Sequence, residues 1–334
     1  MLPQLFRRWE ESLSRRDRNR IIRPFEWGWE FVQNGAPAAD PRQALLEFAR
    51  SALADSDAYH SFRPVTDYHL EGTHLTFSSP VQTIYPKNNT VHARYFPTES
   101  RGRVVLVLPQ WNASASGHMA LCRMLNRFGL SALRLSMPYH DLRRPPELKR
   151  AEYALSPNIG RTLQANHQAV IDGRAAIDWL ETQGYSKIAV LGTSLGSCIA
   201  LITMAHDRRV GLSVQNHVSP YFADVVWTGI STRHVRAGLE GHISLDDLRQ
   251  IWLPISPKAY LPKLVGTGKA SLLVHALYDY SFPRHLSEQV LEDYRKLNLP
   301  HESFRLYCGH YTSGEFPFNI ILGYRMCGYL RKNL

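Results

Sequence analysis

The pentapeptide Gly192-Thr193-Ser194-Leu195-Gly196 sets a serine between two glycines. It joins an apolar run, Ile188-Ala189-Val190-Leu191, to a run of small and apolar residues, Ser197-Cys198-Ile199-Ala200-Leu201. The first run reads as a buried strand and the second as a helix packed on a sheet. Glycines at 192 and 196 let the two backbones almost touch in a sharp turn, leaving Ser194 exposed at the sheet edge in a strained conformation, the arrangement of a nucleophile elbow. The plainer alternative is a glycine-bracketed turn with a capping serine. A serine hydroxyl is a weak nucleophile unless a base takes its proton and an acid orients that base. Partners for an elbow serine are mounted further along the chain, first Asp or Glu and then His, each just past the end of a strand. Asp279 fits in Leu277-Tyr278-Asp279-Tyr280-Ser281-Phe282-Pro283, directly after a predicted strand at 271–276. His310 fits in Tyr307-Cys308-Gly309-His310-Tyr311, after the last predicted strand. His275 lies inside a strand and reads as a core residue, and His301 falls at the wrong end of its strand. His217, after a strand at 211–214, is an alternative base, and Asp224 an alternative acid.

With these residues in place, roughly residues 70–330 resemble the α/β-hydrolase superfamily. The likeness rests on the elbow, on residues 279–283, which look like that family's Asp-x-x-Val-Pro segment with Phe282 for Val, and on the pair Gly309-His310. The resemblance implies Ser194 as nucleophile, His310 as general base and then acid, and Asp279 as the group fixing the imidazole tautomer. It also implies an oxyanion hole made by the backbone N–H of Leu195 and one from the loop after residues 104–108. Where the family usually has His-Gly, this chain has Pro109-Gln110-Trp111-Asn112. Proline offers no N–H, so the second donor falls to Gln110 or Trp111. The stretch Met137-Pro138-Tyr139-His140-Asp141-Leu142-Arg143-Arg144-Pro145 also looks like a loop of the abhydrolase-domain-containing-18 type branch. His140 and Asp141 read as a loop pair at the pocket rim rather than metal ligands, because third and fourth ligands are missing.

The elements that must position these groups follow from periodicity. Strands are predicted at 74–77, 81–85 and 91–96, then at 104–108 and 131–135, with a helix at 114–128 between the last two. A long amphipathic helix at 159–183 delivers the chain to the elbow strand. After the elbow come strands at 211–214, 271–276 and 303–307 and helices at 285–296 and 318–331. This alternation predicts an α/β fold with a mostly parallel sheet and helices on both faces. Residues 220–264 lack strand character, hold helices at 223–227 and 244–252, and read as a small helical cap inserted in a hydrolase domain spanning 66–334.

Residues 1–65 form a helical extension with helices at 5–22 and 41–54 around the aromatic cluster 25–31. The first helix carries Arg7, Arg8, Arg15, Arg16, Arg18 and Arg20. A membrane-surface helix is one reading, but Glu10, Glu11 and Asp17 dilute the charge and favour an arm packed on the catalytic domain.

The chain has 334 residues, enough to bury a large core, and its 44 % hydrophobic and 20 % charged content is that of a soluble globular protein. Its net charge of +10 is spread among acidic residues, and no nucleic-acid module appears. No apolar run is long enough to span a bilayer and no signal peptide is evident, so a cytoplasmic location without membrane association is expected. The four cysteines, Cys122, Cys198, Cys308 and Cys327, form no metal-ligand or disulfide pattern. The expected activity is cofactor-independent and metal-free, the cleavage of a small-molecule carboxylic ester or thioester through an acyl-enzyme. A serine peptidase is the alternative within hydrolases, ranked lower because 65 residues are too few for a large N-terminal domain. An acyltransferase and a catalytically silent binding module on the same fold are the others.

Overall fold

In the computed structural model, which describes residues 2–17, 20–33, 38–99 and 102–334, helix α1 (Leu2–Ser14) is followed by α2 (Pro41–Ala54) and a single turn, α3 (Ser56–Tyr59). Strands β1 (His69–Glu71), β2 (His74–Ser78) and β3 (Thr90–Phe96) come next. The alternating part is β4 (Arg103–Leu108), α4 (Met119–Arg127), β5 (Ser131–Leu135), α5 (Ile159–Thr182), β6 (Lys187–Thr193), α6 (Leu195–His206) and β7 (Val210–Asn216). Helices α7 (Phe222–Thr228), α8 (Arg233–Leu239) and α9 (Leu245–Ile251) precede β8 (Ala270–Ala276), α10 (Arg284–Lys296), β9 (His301–Leu306) and α11 (Phe318–Asn333).

One nine-stranded sheet results, in the order β1-β2-β3-β5-β4-β6-β7-β8-β9. The strands from β5 to β9 in that order pair in parallel, and β1 to β3 are antiparallel to their neighbours. Period-two alternation divides the apolar strand residues between two faces. Val104, Leu106 and Leu108 pack with residues of α5, α6 and α10, among them Val170, Ile199 and Val290. Val105 and Val107 face α4 and α11 through Cys122, Leu125, Leu322 and Met326. The predicted parallel sheet covered on both faces is therefore present.

Capping chemistry fixes two helix starts. Asp40 accepts from the N–H of Gln43 at 3.0 Å ahead of Pro41, and Asn158 accepts from the N–H of Arg161 at 2.8 Å. A third apolar cluster joins α2 (Leu45, Leu46), the start of α5 (Ile159, Leu163) and the helices over the sheet edge (Phe222, Leu239, Trp252). Trp252 is fully buried and donates through Nε1 to the carbonyl of Ile159 at 3.1 Å.

Three local expectations are corrected. Residues 81–85 are not a strand. Asn89 Oδ1 accepts from both the N–H and the hydroxyl of Thr83 at 2.8 Å, and this side-chain turn between Pro80 and Pro86 replaces ladder pairing. The helix expected at 114–128 begins only at Met119, because residues 114–118 form turns ending on His118 at φ 67°. The first helix ends at Ser14 rather than 22, and beyond it Arg16 reaches Glu315 at 3.3 Å and Arg20 the hydroxyl of Tyr311 at 2.7 Å, long-range contacts in place of a continued helix; the part of that expectation resting on Arg18 lies outside the described residues. Among the described residues no helix is long and apolar enough to cross a membrane.

Candidate active site

The registers Leu108↔Gly192, Thr193↔Asn216 and Asn216↔Val274 bring the C-terminal ends of β4, β6, β7 and β8 to one edge, where the chemistry-bearing residues gather. Ser194 sits between β6 and α6 at φ 55° and ψ −118°, a strained backbone for a non-glycine residue. Its N–H donates to the carbonyl of Asn216 at 2.8 Å. A Cβ on Gly192 would lie 2.0 Å from the carbonyl oxygen of Gly196, and one on Gly196 would lie 2.1 Å from that of Leu108. Both glycines are therefore required by the turn, and the second also seats the loop Pro109–Asn112 directly against it.

Asp279 is almost fully buried just past β8. Its Oδ1 accepts from the N–H groups of Ser281 (2.8 Å) and Phe282 (2.6 Å). Its Oδ2 accepts from Nδ1 of His310 at 3.1 Å and from Nδ1 of His217 at 2.8 Å. Burial works against the carboxylate's charge, yet the charge of His310 and the hydrogen bonds from both imidazoles hold it below the usual carboxylate range. The structure thus brings Ser194, His310 and Asp279 to one place. It gives Asp279 a second imidazole that the sequence offered only as a rival to His310. His217 follows β7 at φ 61°, donates to Asp279, lines the same cavity, and lies with Nε2 3.1 Å from Ser313 Oγ. Ser313 also donates to the carbonyl oxygen of His310 at 2.7 Å. Asp224, the other alternative, is engaged by Arg249 at 2.5 Å. His275 lies within β8 and His301 begins β9, at the opposite edge of the sheet.

The two imidazoles titrate in opposite directions. Burial lowers the pKa of His217, and the neighbouring His310 lowers it further. Burial also presses on His310, but the charge and hydrogen bond of Asp279, with Glu10 behind, outweigh it, so His310 lies above the ordinary imidazole value of 6.5. The ring of Phe282 stacks on His310 with centroids 5.2 Å apart and planes within 2°.

Glu10, a fully buried carboxylate on α1, is a part of the site for which the sequence held only a charge count. It accepts from the N–H of Tyr311 at 3.0 Å and of Thr312 at 2.7 Å, and a Cβ on Gly309 would lie 2.3 Å from its carboxyl carbon. The pair Gly309-His310 therefore marks a place where a side chain from the far end of the chain passes under the loop. Phe6 stacks on Tyr278 at 4.6 Å, and Arg20 donates to the hydroxyl of Tyr311 at 2.7 Å.

The loop Pro109–Asn112 is braced by His140. Nδ1 of that residue donates to the carbonyl of Pro138 at 2.8 Å, so Nε2 is free to accept from the N–H of Asn112 at 2.9 Å. Trp111 donates through Nε1 to the carbonyl of Ala151 at 2.8 Å. Asp141 pairs with Arg134 at 2.6 Å. His140 thus braces the loop, while Asp141 holds Arg134, which donates to the carbonyls of Ser114 and Gly117. Leu195 begins α6, so its N–H has no acceptor within the helix.

A cavity of about 560 Å³, lined by Ser194, His310, Gln110, Trp111 and residues of α4 and α11, opens above the elbow. That size suits a small-molecule ligand. Among the described residues one group could hold a metal, His217, Asp279 and His310, with ligand atoms within 4.8 Å. Both Nδ1 atoms are directed at the same carboxylate oxygen, so these groups satisfy one another rather than a common ion position.

No protein-family model matches the chain, and no curated protein matches it by sequence. Solved structures match it in fold. A Pyrococcus horikoshii acylaminoacyl peptidase superposes with a TM-score of 0.62 at 12% identity, covering 84% of this chain and 44% of the peptidase, so the chain spans less than half of that protein. Acetyl xylan esterase 1 from Thermoanaerobacterium sp. gives 0.57 at 12% identity over 90% of this chain and 97% of that one. A Pyrococcus furiosus esterase gives 0.54 at 16% identity over 83% and 95%. The fold is the α/β-hydrolase fold.

Proposed function

We propose that this protein is a serine hydrolase that cleaves a carboxylic ester or thioester, with Ser194 as nucleophile, His310 as general base and then acid, and Asp279 as the carboxylate that fixes the imidazole. The observation that carries this reading is the bond from His310 to the buried carboxylate of Asp279, in a cavity that Ser194 also lines. In the first step Nε2 of His310 takes the hydroxyl proton as Oγ bonds to the acyl carbon; the bond to the leaving oxygen or sulfur then breaks, and His310 returns the proton to it. Water, deprotonated by the same imidazole, then releases the acid and restores Ser194. The N–H of Leu195, with that of Gln110 or Trp111, would hold the oxyanion.

The peptidase reading draws on the acylaminoacyl peptidase, of which this chain spans only part. Two esterases align over nearly their whole length, which favours ester cleavage. A fluorophosphonate probe is expected to label wild-type protein at Ser194 and to leave Ser194→Ala unlabelled; folded wild type that resists the probe overturns the assignment. A pH profile supplies a second check. The base must be neutral to act, and His310 is raised, so kcat/KM for a short p-nitrophenyl ester is expected to rise through an ionisation above pH 6.5. A limb at or below that value contradicts His310 as the base.

A further inference from the structure

The cavity above Ser194 is chemically divided. On one side it is lined by Asp17, Arg20, Gln110, Asn112, Arg150 and Tyr311, all polar. On the other, α4 and α11 contribute Leu121, Met124, Ile320, Leu322, Gly323 and Met326, with Asn319 at the start of α11 the one polar side chain from these two helices. Gly323 sets the width between these helices. A Cβ there would lie 2.8 Å from Sδ and 3.2 Å from Cε of Met124, so any larger residue would displace that methionine and itself occupy the space between the helices. Met124 and Met326 are unbranched and adaptable, suited to a flexible apolar chain rather than a rigid ring. The groove leads outward to Ile320, which is 44% exposed and stands beside Ile321 and Tyr324 at 47% and 60%.

We infer that the groove between α4 and α11 is the acyl subsite and takes an unbranched saturated chain, with the polar leaving group on the side of Arg20 and Arg150. This rests on the hydrolase reading above. The orientation follows from proton delivery. His310 must hand its proton to the leaving atom, so the leaving group lies against His310 and its neighbours Tyr311 and Arg20, which are polar. The acyl chain is left with the apolar side, where each buried methylene contributes about fourfold to binding.

The test compares kcat/KM for p-nitrophenyl octanoate and acetate in wild type, Gly323→Val and, as a second obstruction that leaves α11 intact, Leu121→Trp. Wild type is expected to favour octanoate by about tenfold or more, and the octanoate-to-acetate ratio to fall at least about tenfold in either variant. A wild-type ratio near one, or an unchanged ratio in both folded variants, overturns the subsite. Binding of decanoate to Ser194→Ala, followed by isothermal titration calorimetry, separates this from the failure of the hydrolase reading. Saturable binding abolished by Gly323→Val supports the groove even if no ester is turned over, and absence of binding overturns it.

Discussion

Asp279→Asn is expected to lower kcat/KM for a short ester by about 10⁴-fold while leaving the protein folded. Asparagine is nearly isosteric, and its Oδ1 can still accept from the N–H groups of Ser281 and Phe282, which hold the loop. Its Nδ2, however, would then face Nδ1 of both His217 and His310, where the carboxylate now accepts two hydrogen bonds. An amide nitrogen only donates, so both rings would be driven to carry their proton on Nε2. For His310 that places a proton where a lone pair must receive the proton of Ser194. The protein would keep its architecture and lose the proposed base. Circular dichroism and denaturant midpoints near wild type, together with the collapse in rate, would establish this; near-wild-type rates would show that Asp279 is not the orienting acid.

Glu10→Ala is expected to cost about 2–5 kcal/mol of stability and to lower kcat about 10- to 100-fold. The stability term comes from the buried N–H groups of Tyr311 and Thr312, each left without the carboxylate it now donates to. The kinetic term follows because these residues adjoin His310, and a base displaced by a fraction of an ångström no longer lines up with Ser194. Glu10→Gln separates charge from packing. It keeps the volume and one acceptor but removes a negative charge that helps raise His310. The acid limb of the kcat/KM profile is therefore expected to move to lower pH in Glu10→Gln, since a less stabilised imidazolium loses its proton sooner. An unmoved limb would show that Glu10 acts on the loop backbone alone. Burial raises the pKa of Glu10 itself, against the pull of the Tyr311 and Thr312 N–H groups and of His310.

Much of the candidate site was legible because its signals are short-range. A turn so tight that a Cβ on Gly192 would lie 2.0 Å from the carbonyl oxygen of Gly196 admits almost nothing but glycine at either place, so steric exclusion writes itself into positions 192 and 196 on either side of Ser194. Strand-end placement of Asp279 and His310 follows from runs such as Ser271-Leu272-Leu273-Val274, whose burial on both faces demands continuous apolar sequence. Apolar periodicity likewise located the sheet, the long helix α5 and α2. It failed where side-chain bonding overrode propensity, as in residues 81–85, and where a left-handed residue delayed α4.

What only the tertiary structure decided is how distant segments converge on the three residues. Glu10 and Thr312 are 302 positions apart, His217 and Asp279 are 62 apart, and His140 reaches back 28 positions to Asn112. None of these contacts has a period, a spacing or a composition that marks it, because each depends on where two elements happen to pass after the sheet has ordered its strands. The sequence by itself determined the tight turn around Ser194 and the strand-end positions of Asp279 and His310, through local sterics and burial. Folding decided which carboxylate lies beneath the histidine loop, how many imidazoles share Asp279, and which helices wall the cavity, since those follow from long-range packing.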